Sequence, residues 1–324
     1  MKNKLITILT ICCMIFACLG IIGCGDNGDS KGNQSVGIVD MYINEDNYLM
    51  VKYVNSDTYV NLGKVVSNMQ GIDNGYGLEY CISTDGTGYA VKGIGEYFGS
   101  DVVIPSTYRG IPVVEIYEQA FANCNITSVE IPDSVTSIGS NAFLNCSLLT
   151  YNIKGGLKYL GNSINEYLYL AGVESTFITT VTIDSNCKFI GSSAFSGCWL
   201  LKSIEMPDSV TSIGYTAFYN CSSLTKVNYT GTIDSWAQIE FGGHDANPLY
   251  YADNLYINNV LVTEAVLTSA TKISNYVFSG CSSLTNVTIG NSVTSIGEDA
   301  FRSCSSLTSV VITNNVKIIG REAF

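Results

Sequence analysis

The chain of 324 residues contains little of what catalytic and metal sites are built from: it has one histidine, two tryptophans and only 14% charged residues. It has no Cys-x-x-Cys pair and no calcium-type acidic loop, so no metal-binding pattern is present. Nucleophile-elbow, phosphate-loop and dinucleotide motifs are also missing. His244 stands next to Asp245 in a turn-like segment, where a lone histidine is more often solvated than a base. The sequence therefore predicts no enzyme activity, no cofactor and no metal.

Basic residues are scarce as well. The 16 Lys and Arg residues stand against 28 Asp and Glu residues, which gives a formal net charge of −12. A surface of this sign does not attract phosphate backbones or anionic lipid headgroups. We therefore expect no nucleic acid partner and no electrostatic attachment to a membrane. Apart from one N-terminal run, no stretch is apolar and long enough to span a bilayer.

Residues 1–23 have the layout of an export signal. Lys2 and Lys4 precede an apolar run over residues 5–22, and Ile-Ile-Gly stands directly before Cys24. This layout resembles a bacterial lipoprotein signal peptide with Cys24 as the lipidated residue. An ordinary signal peptide and a short membrane anchor are the alternatives. Acyl chains, at about 0.8 kcal/mol per buried methylene, would then hold the mature protein on the membrane outside the cytoplasm.

Two Gly/Asn-rich stretches predict flexible segments, a tether at 24–37 and a joint at 67–77. Between them, residues 38–66 predict a small β-meander, because strand-like runs alternate with turn-forming Asn, Asp and Ser. A unit of this size is too small for a catalytic domain, so we expect it to be a spacer. The strand-like runs are 38–43, 48–53 and 58–62.

The strongest pattern is an internal repeat. The six residues Ser-Val-Thr-Ser-Ile-Gly occur at 134–139, 209–214 and 292–297, and a phenylalanine follows each copy four residues later. Two wider gaps indicate longer repeats near 154–182 and 230–266. Units that recur at a fixed period and cannot bury an apolar face alone predict a stacked solenoid. The phenylalanines recur at a base spacing of 23 residues: Phe121, Phe143, Phe195, Phe218, Phe278, Phe301 and Phe324.

Each repeat runs from Phe through a Cys three residues later into a pattern of the type Leu-x-x-Val-x-Ile, as at 224–229, 284–289 and 307–312. This alternation of β-branched residues predicts parallel strands stacked about 4.8 Å apart in a concave sheet. The Val-Thr-Ser-Ile-Gly segment predicts a second short strand on the opposite wall, and Ala-Phe-x-x-Cys predicts a helical turn. The predicted fold is therefore a mainly-β solenoid whose coils are filled by Phe.

Over residues 78–324 these motifs are similar to those of the BspA-like leucine-rich-repeat proteins of bacterial surfaces. The lead-in at 86–89 and 104–112 looks like the first half-repeat of that family. The resemblance implies surface attachment and ligand binding, and it carries no shared catalytic residues. The sequence ends in mid-repeat at Phe324. We expect that it continues in a longer protein, that its last coil frays or self-associates, or that Phe324 plugs the end.

Twelve cysteines suggest disulfides at first sight. Three of them lie in the signal, however, and Cys24 would carry the lipid. Residues at one place in a repeat face the same way in every coil. We therefore expect the repeat cysteines to be buried and reduced. Cys81 and Cys187 fall outside the pattern and receive no role. The six repeat cysteines are Cys124, Cys146, Cys198, Cys221, Cys281 and Cys304.

The strand register assigns the outward positions of the concave sheet, and most of them are small and polar. Such a face can bind a protein or a glycan through hydrogen bonds, or it can serve solubility alone. The assigned positions are Ser128, Glu130, Thr150, Asn152, Ser203, Glu205, Lys226, Asn228, Asn286, Thr288 and Ser309. The longer repeats either simply lengthen the convex side of the solenoid or add exposed aromatic contacts, which would be Tyr167, Tyr169, Trp236, Tyr250 and Tyr251.

These patterns predict a non-catalytic, lipid-anchored protein of the bacterial cell surface. We expect it to act as an adhesion or binding module for an extracellular protein or glycan. The alternative is a structural spacer that displays a further C-terminal domain.

Overall fold

The computed structural model of the chain describes residues 38–43, 48–53, 60–64 and 77–324. The predicted signal peptide, Cys24 and the tether lie outside these residues, as does nearly all of the predicted joint. In the parts of the chain that are described, no helix is long and apolar enough to cross a membrane. The chain divides into two compact units between residues 72 and 73.

The first unit contains three strands, β1 (Ile38–Ile43), β2 (Tyr48–Tyr53) and β3 (Val60–Lys64). They pair antiparallel in the order β1-β2-β3. β-branched and aromatic residues favour such strands. The sheet is the predicted meander, and its third strand starts two residues later than the run 58–62.

The second unit begins with an antiparallel pair of strands and continues as a solenoid. Its two short α-helices are α1 (Ile233–Trp236) and α2 (Leu249–Ala252), and a 3-10 turn covers His244–Ala246. Its strands are β4 (Glu79–Ile82), β5 (Tyr89–Gly93), β6 (Asp101–Val103), β7 (Thr107–Tyr108), β8 (Ile111–Ile116), β9 (Ser128–Glu130), β10 (Ser137–Ile138), β11 (Asn152–Lys154), β12 (Leu157–Leu160), β13 (Tyr169–Val173), β14 (Thr180–Thr182), β15 (Phe189–Ile190), β16 (Ser203–Met206), β17 (Ser212–Ile213), β18 (Lys226–Tyr229), β19 (Glu240–Phe241), β20 (Leu255–Ile257), β21 (Val260–Leu261), β22 (Glu264–Leu267), β23 (Lys272–Ile273), β24 (Asn286–Ile289), β25 (Ser295–Ile296), β26 (Ser309–Val311) and β27 (Ile318–Ile319).

The strands of the Leu-x-x-Val-x-Ile pattern form one side of the coils, which we call the long-strand wall. It contains the parallel ladders β6-β9, β14-β16-β18-β20 and β22-β24-β26. Residues one period apart pair with each other, as Ile204 does with Val227. The predicted parallel strands are thus confirmed, but they form three sheets and not one continuous sheet.

The Ser-Ile residues of the Val-Thr-Ser-Ile-Gly segments form a second side, the short-strand wall. There β13, β15, β17 and β19 pair in parallel, and β23, β25 and β27 form a further ladder. Each pair spans only two residues, for example Ser212 with Phe189 and Ile213 with Ile190. The predicted second strand of each coil is confirmed.

The Ala-Phe-x-x-Cys segments form consecutive turns, not the predicted helical turn. Around Phe143, the residues Asn141 and Asn145 have φ angles of 58° and 57°. A residue in the left-handed region cannot continue an α-helix. The turns instead bond to the next coil, since the Phe121 N–H donates to the Ala142 carbonyl at 2.8 Å. We call this side of the coils the turn side.

Phenylalanine rings fill the coil interior and stack from coil to coil. The ring centroids of Phe195 and Phe218 lie 5.1 Å apart, and those of Phe278 and Phe301 lie 5.2 Å apart. None of these four side chains is more than 1% exposed. Stacking adds about 0.5–1.5 kcal/mol per pair to the free energy of burial. This phenylalanine ladder therefore couples each regular coil to its neighbour.

The first long repeat reverses the chain direction. Gly155 and Gly156 have φ angles of 59° and 77° and form the two-residue turn between β11 and β12. Two successive residues at positive φ favour glycine because a Cβ would be strained there. β12 pairs antiparallel with both β11 and β13. The hairpin therefore interrupts the long-strand wall between β9 and β14.

The second long repeat adds both helices and a further hairpin. Thr232 caps α1, because its hydroxyl accepts the Ser235 N–H while the Ser235 hydroxyl accepts the Thr232 N–H. β20 extends the ladder after β18, and β21 folds back antiparallel on β20. The next ladder begins at β22, so the long-strand wall breaks a second time at this repeat.

Candidate binding surfaces

Most of the predicted face residues do lie on the long-strand wall. Ser203 pairs with Lys226, and Asn286 pairs with Ser309. Because the wall consists of three sheets, these residues form separate groups and not one row. The residues on its strands β9, β16, β18, β24 and β26 are Ser128, Glu130, Ser203, Glu205, Lys226, Asn228, Asn286, Thr288 and Ser309.

Two predicted face residues lie off the long-strand wall, and a third, Asn228, lies on it but is buried. Thr150 precedes β11 and Asn152 lies on it, in the antiparallel hairpin and not in a parallel ladder. The side-chain amide of Asn152 donates to the Glu166 carbonyl at 3.0 Å. Asn228 is only 4% exposed, because its Oδ1 accepts the Asn259 N–H at 2.7 Å in the turn after β20. Asn228 therefore holds the hairpin, and its carbonyl oxygen is not free for a ligand.

Trp236 and Tyr169 are core residues, not the exposed contacts that were predicted. Trp236 is 0% exposed and Tyr169 is 6% exposed. The Trp236 Nε1–H donates to the Val277 carbonyl at 3.0 Å, and its ring lies 5.4 Å from Tyr229. The Tyr169 ring lies 5.4 Å from that of Phe143. The long repeats use these aromatic side chains to fill their own interiors, since a larger coil left empty would lose packing contacts.

The other three predicted contacts reach the surface to different degrees. Tyr167 is partly buried against Tyr159, at 5.4 Å between ring centroids, with the Lys154 ammonium 4.8 Å from its ring centroid. Tyr251 is also partly buried, whereas Tyr250 is 52% exposed. Tyr250 is therefore the most accessible of the predicted aromatic contacts.

A groove of about 490 Å³ opens at the second long repeat, between α1 and the hairpin of β20 and β21. Its lining is largely apolar and includes Ile233, Ile257, Val260 and Leu261. Glu264 is the one titratable side chain among the described residues that line it. A groove of this composition suits apolar side chains of a ligand, and it lacks the paired groups that acid–base catalysis uses.

Asp234 of α1 positions one wall of this groove. Its carboxylate accepts the backbone N–H groups of Thr268, Ser269 and Ala270 at 2.9, 2.9 and 2.8 Å. Burial alone would raise the pKa of this carboxyl, but the hydrogen bonds from Ala270 and Ser269 outweigh it and lower the pKa. Asp234 is therefore held ionised, and it fastens α1 to the segment after β22.

Exposed aromatic residues that were not predicted occur at two further places. Phe177 is 68% exposed and Trp199 is 48% exposed, with ring centroids 6.4 Å apart. Tyr215 and Tyr219 are each 52% exposed. The sequence does carry a signal for such residues, namely a departure from the repeat. Trp199 directly follows the repeat cysteine, and most other coils have serine at this place: Ser147, Ser222, Ser282 and Ser305.

The repeat cysteines lie in the coil interior beside the phenylalanines. The thiols of Cys146, Cys221 and Cys304 each donate to the Phe carbonyl of the preceding coil, at 3.0, 3.2 and 3.1 Å. Burial raises the pKa of Cys221 to about 12, so the unreactive thiol predominates. Cys124 departs from the predicted burial and is partly exposed. It belongs to the first coil of the ladder, so no earlier Phe layer covers it.

His244 belongs to a surface cluster of aromatic side chains. Its Nε2 lies 2.6 Å from Asp245 Oδ1, and its ring centroid lies 5.3 Å from that of Tyr250. Over the described ranges, no group of three or more His, Cys, Asp and Glu side chains is placed to hold a metal ion.

Coils of about 23 residues, stacked with one strand on each of two walls, define a leucine-rich-repeat solenoid. The family model "BspA type Leucine rich repeat region (6 copies)" matches residues 100–171, 163–245 and 250–324. The chain belongs to the BspA-type leucine-rich-repeat family.

Several solved leucine-rich-repeat structures are similar to this chain. One from T. pallidum is 20% identical over 76% of this chain and 84% of its own, with a TM-score of 0.30. One from Bacteroides ovatus is 23% identical over 76% and 78%, with a TM-score of 0.27. A leucine rich cell surface protein from Faecalibacterium prausnitzii is 20% identical over 72% and 93%, with a TM-score of 0.24. No curated protein matches the chain.

Proposed function

We propose that this protein binds an extracellular protein or glycan through its solenoid without catalysing a reaction, and that a lipid on Cys24 anchors it at the bacterial surface. The observation that carries the proposal is the exposure of apolar and aromatic side chains at variable positions of an otherwise uniform repeat. Clustered patches of this kind mark interaction sites. Solenoids offer extended surfaces for such binding.

The groove at the second long repeat supports a binding role. Val260 is 69% exposed and Leu261 is 39% exposed, so both leave much of their apolar surface to water. Covering apolar area contributes about 25 cal/mol for each Å² before the entropy cost of association is subtracted. A ligand that covers the groove would therefore bury apolar surface that stays in contact with water in the unbound protein, and this burial would favour binding.

The N-terminal pattern supports the anchor. Two lysines, an apolar run and Ile-Ile-Gly-Cys stand in the order that lipidation requires. Stable attachment by acyl chains needs more than one chain or a second signal. The net charge of −12 supplies no electrostatic signal toward anionic lipids. The proposal therefore requires a multiply acylated Cys24.

Metabolic labelling with a fatty-acid analogue tests the anchor. We expect the wild-type protein to carry the label in the membrane fraction, and Cys24→Ala to lose the label and leave that fraction. Cys18→Ala is the matched control, because it removes a thiol from the same segment and should keep the label. Label retained in Cys24→Ala would contradict the anchor.

An array of extracellular glycans and matrix proteins tests the binding role. The full-length chain in detergent micelles is the sample, and we expect saturable binding to at least one class of ligand. Turnover of a bound ligand would contradict the non-catalytic role. If no ligand binds while the chain remains folded, the binding proposal fails and the spacer alternative gains support.

A further inference from the structure

Four exposed side chains lie on two segments that stack on each other at the turn side, where the Phe218 N–H donates to the Asp245 carbonyl at 3.4 Å. Tyr215 and Tyr219 come from one regular coil, and His244 and Tyr250 come from the second long repeat. The three tyrosines are each 52% exposed, and the His244 side chain is 56% exposed. We call this group the tyrosine patch.

The contacts between the two segments are specific. A Cβ at Gly243, next to His244, would lie 3.0 Å from Cε2 of Tyr215, so the Tyr215 ring packs over that glycine. The Asn220 N–H, next to Tyr219, donates to the Tyr251 hydroxyl at 2.8 Å. The long repeat therefore adds its aromatic residues beside the two tyrosines of the preceding coil.

The fold does not need aromatic residues at these two repeat positions. Tyr219 directly follows Phe218, and the residues at the same place in other coils are Ala122, Leu144, Ser196, Ser279 and Arg302. Tyr215 directly follows Gly214, and the residues at that place are Ser140, Ser192, Glu298 and Arg321. Small, charged and apolar residues all fit at these places in the other coils, so the regular repeat does not require a tyrosine at either one.

Ring packing and hydrogen bonds support the base of the patch. Tyr250 packs edge to face on Tyr251, at 4.9 Å and 84°. Asn247, fully buried, donates to the Tyr276 carbonyl at 2.6 Å and accepts the Leu249 N–H at 2.9 Å. Burial raises the pKa of Tyr251, so its hydroxyl keeps its proton. A ligand would meet ordered rings and would lose little side-chain entropy on binding.

Charges beside the patch are already paired. Asp245 contacts His244, and Arg321 pairs with Glu298 at 2.5 Å. Tyr276 lies between this ion pair and the base of the patch, because its N–H donates to the Glu298 carbonyl at 2.9 Å and its own carbonyl accepts the Asn247 amide at 2.6 Å. An anionic ligand would therefore meet carboxylates and an arginine that is already engaged.

We propose that the tyrosine patch binds a neutral glycan. Pyranose rings present a C–H face that packs on tyrosine rings, and their hydroxyls can bond to the tyrosine hydroxyls, His244 and Asp245. The inference rests on the proposed function, since it names the ligand class of a non-catalytic binding protein. A protein ligand at the same patch is the competing outcome of the test.

Titration calorimetry of the full-length chain in micelles provides the test, with cellohexaose and hexa-N-acetylchitohexaose as neutral probes and heparin as the acidic probe. We expect at least one neutral probe to bind, and Tyr215→Ser with Tyr219→Ser to weaken it at least tenfold. Leu144→Ser is the matched control: it changes a 45% exposed apolar residue at the repeat position of Tyr219, in a coil outside the patch. We expect its affinity to equal that of the wild type.

Protection of the wild-type protein tests the same site without a variant. The bound neutral probe should slow iodination of Tyr219 and Tyr250, read by peptide mass spectrometry. The rate of iodination of Tyr117, which does not belong to the patch, should not change. The inference would be overturned if heparin bound more tightly than the neutral probes. It would also be overturned if Leu144→Ser lost as much affinity as the variant that lacks both tyrosines. Matrix-protein binding that depends on the tyrosines, without glycan binding, would overturn it while the proposed function stands. Absence of any binding would overturn both.

Discussion

Replacing Phe218 by alanine tests whether the phenylalanine ladder stabilises the solenoid. Phe218 is fully buried, and its ring lies 5.1 Å from that of Phe195. Loss of the ring removes about 1.5–3 kcal/mol of hydrophobic burial. A residual cavity of roughly 80 Å³ adds about 2 kcal/mol, at about 24 cal/mol per Å³. We therefore expect the free energy of unfolding to fall by about 3–5 kcal/mol.

Urea denaturation followed by circular dichroism measures this loss, as a lower midpoint. Tyr219→Ala is the matched control, because it removes the adjacent aromatic ring, which is 52% exposed. We expect this control to change the free energy of unfolding by less than about 1 kcal/mol. Since neighbouring coils share their interfaces, the Phe218→Ala loss should also loosen the coil that contains Phe195. Equal losses in the two variants would refute the inward placement of the ladder.

Three further changes test particular contacts. Alkylation of the native protein should label Cys81 and Cys124 first, whereas the buried Cys146, Cys187, Cys198, Cys221, Cys281 and Cys304 should react only after denaturation; a disulfide in the mass spectrum would contradict this. Asp234→Asn should lower the free energy of unfolding by about 1–2 kcal/mol. Because the folded-state pKa of Asp234 is lowered, its contribution is present above the ordinary carboxyl pKa and is lost below about pH 4, so the variant should show less acid sensitivity. Trp236→Phe should cost about 1–3 kcal/mol, since it removes the Nε1–H donor and leaves the Val277 carbonyl only the longer contact with the Asn247 amide at 3.4 Å; a change in ligand affinity at constant stability would instead show that Trp236 contacts the ligand.

The repeat made the regular coils predictable from the sequence. A residue at a fixed place in every period meets the same neighbours one coil away, so Phe218 and Cys221 had to face inward. The alternation in β16 and β18 likewise assigned Ser203 and Lys226 to one face. The prediction of a helical turn was wrong because residues with backbone angles in the left-handed region, such as Asn141, interrupt the helix. No local sequence pattern distinguishes one helical turn from two tight turns.

The long repeats were not predictable in the same way, because no second copy constrains their neighbours. Trp236 and Tyr250 are both aromatic residues of the second long repeat, yet one is 0% exposed and the other is 52% exposed. The difference depends on the cap at Thr232 and the anchor at Asp234, which turn α1 toward the core.

By itself, the sequence determined the period, the wall strands and the interior of each regular coil, because these depend on residues that recur at fixed spacing. Only the tertiary structure decided where each insertion packs, since that depends on contacts between residues far apart in the chain. It brings the Tyr215 ring against Gly243 across 28 positions, and it buries Asn228 through a hydrogen bond from the Asn259 N–H, 31 residues later. The surfaces that distinguish this protein from a uniform repeat therefore come from the insertions and from the coils they cover.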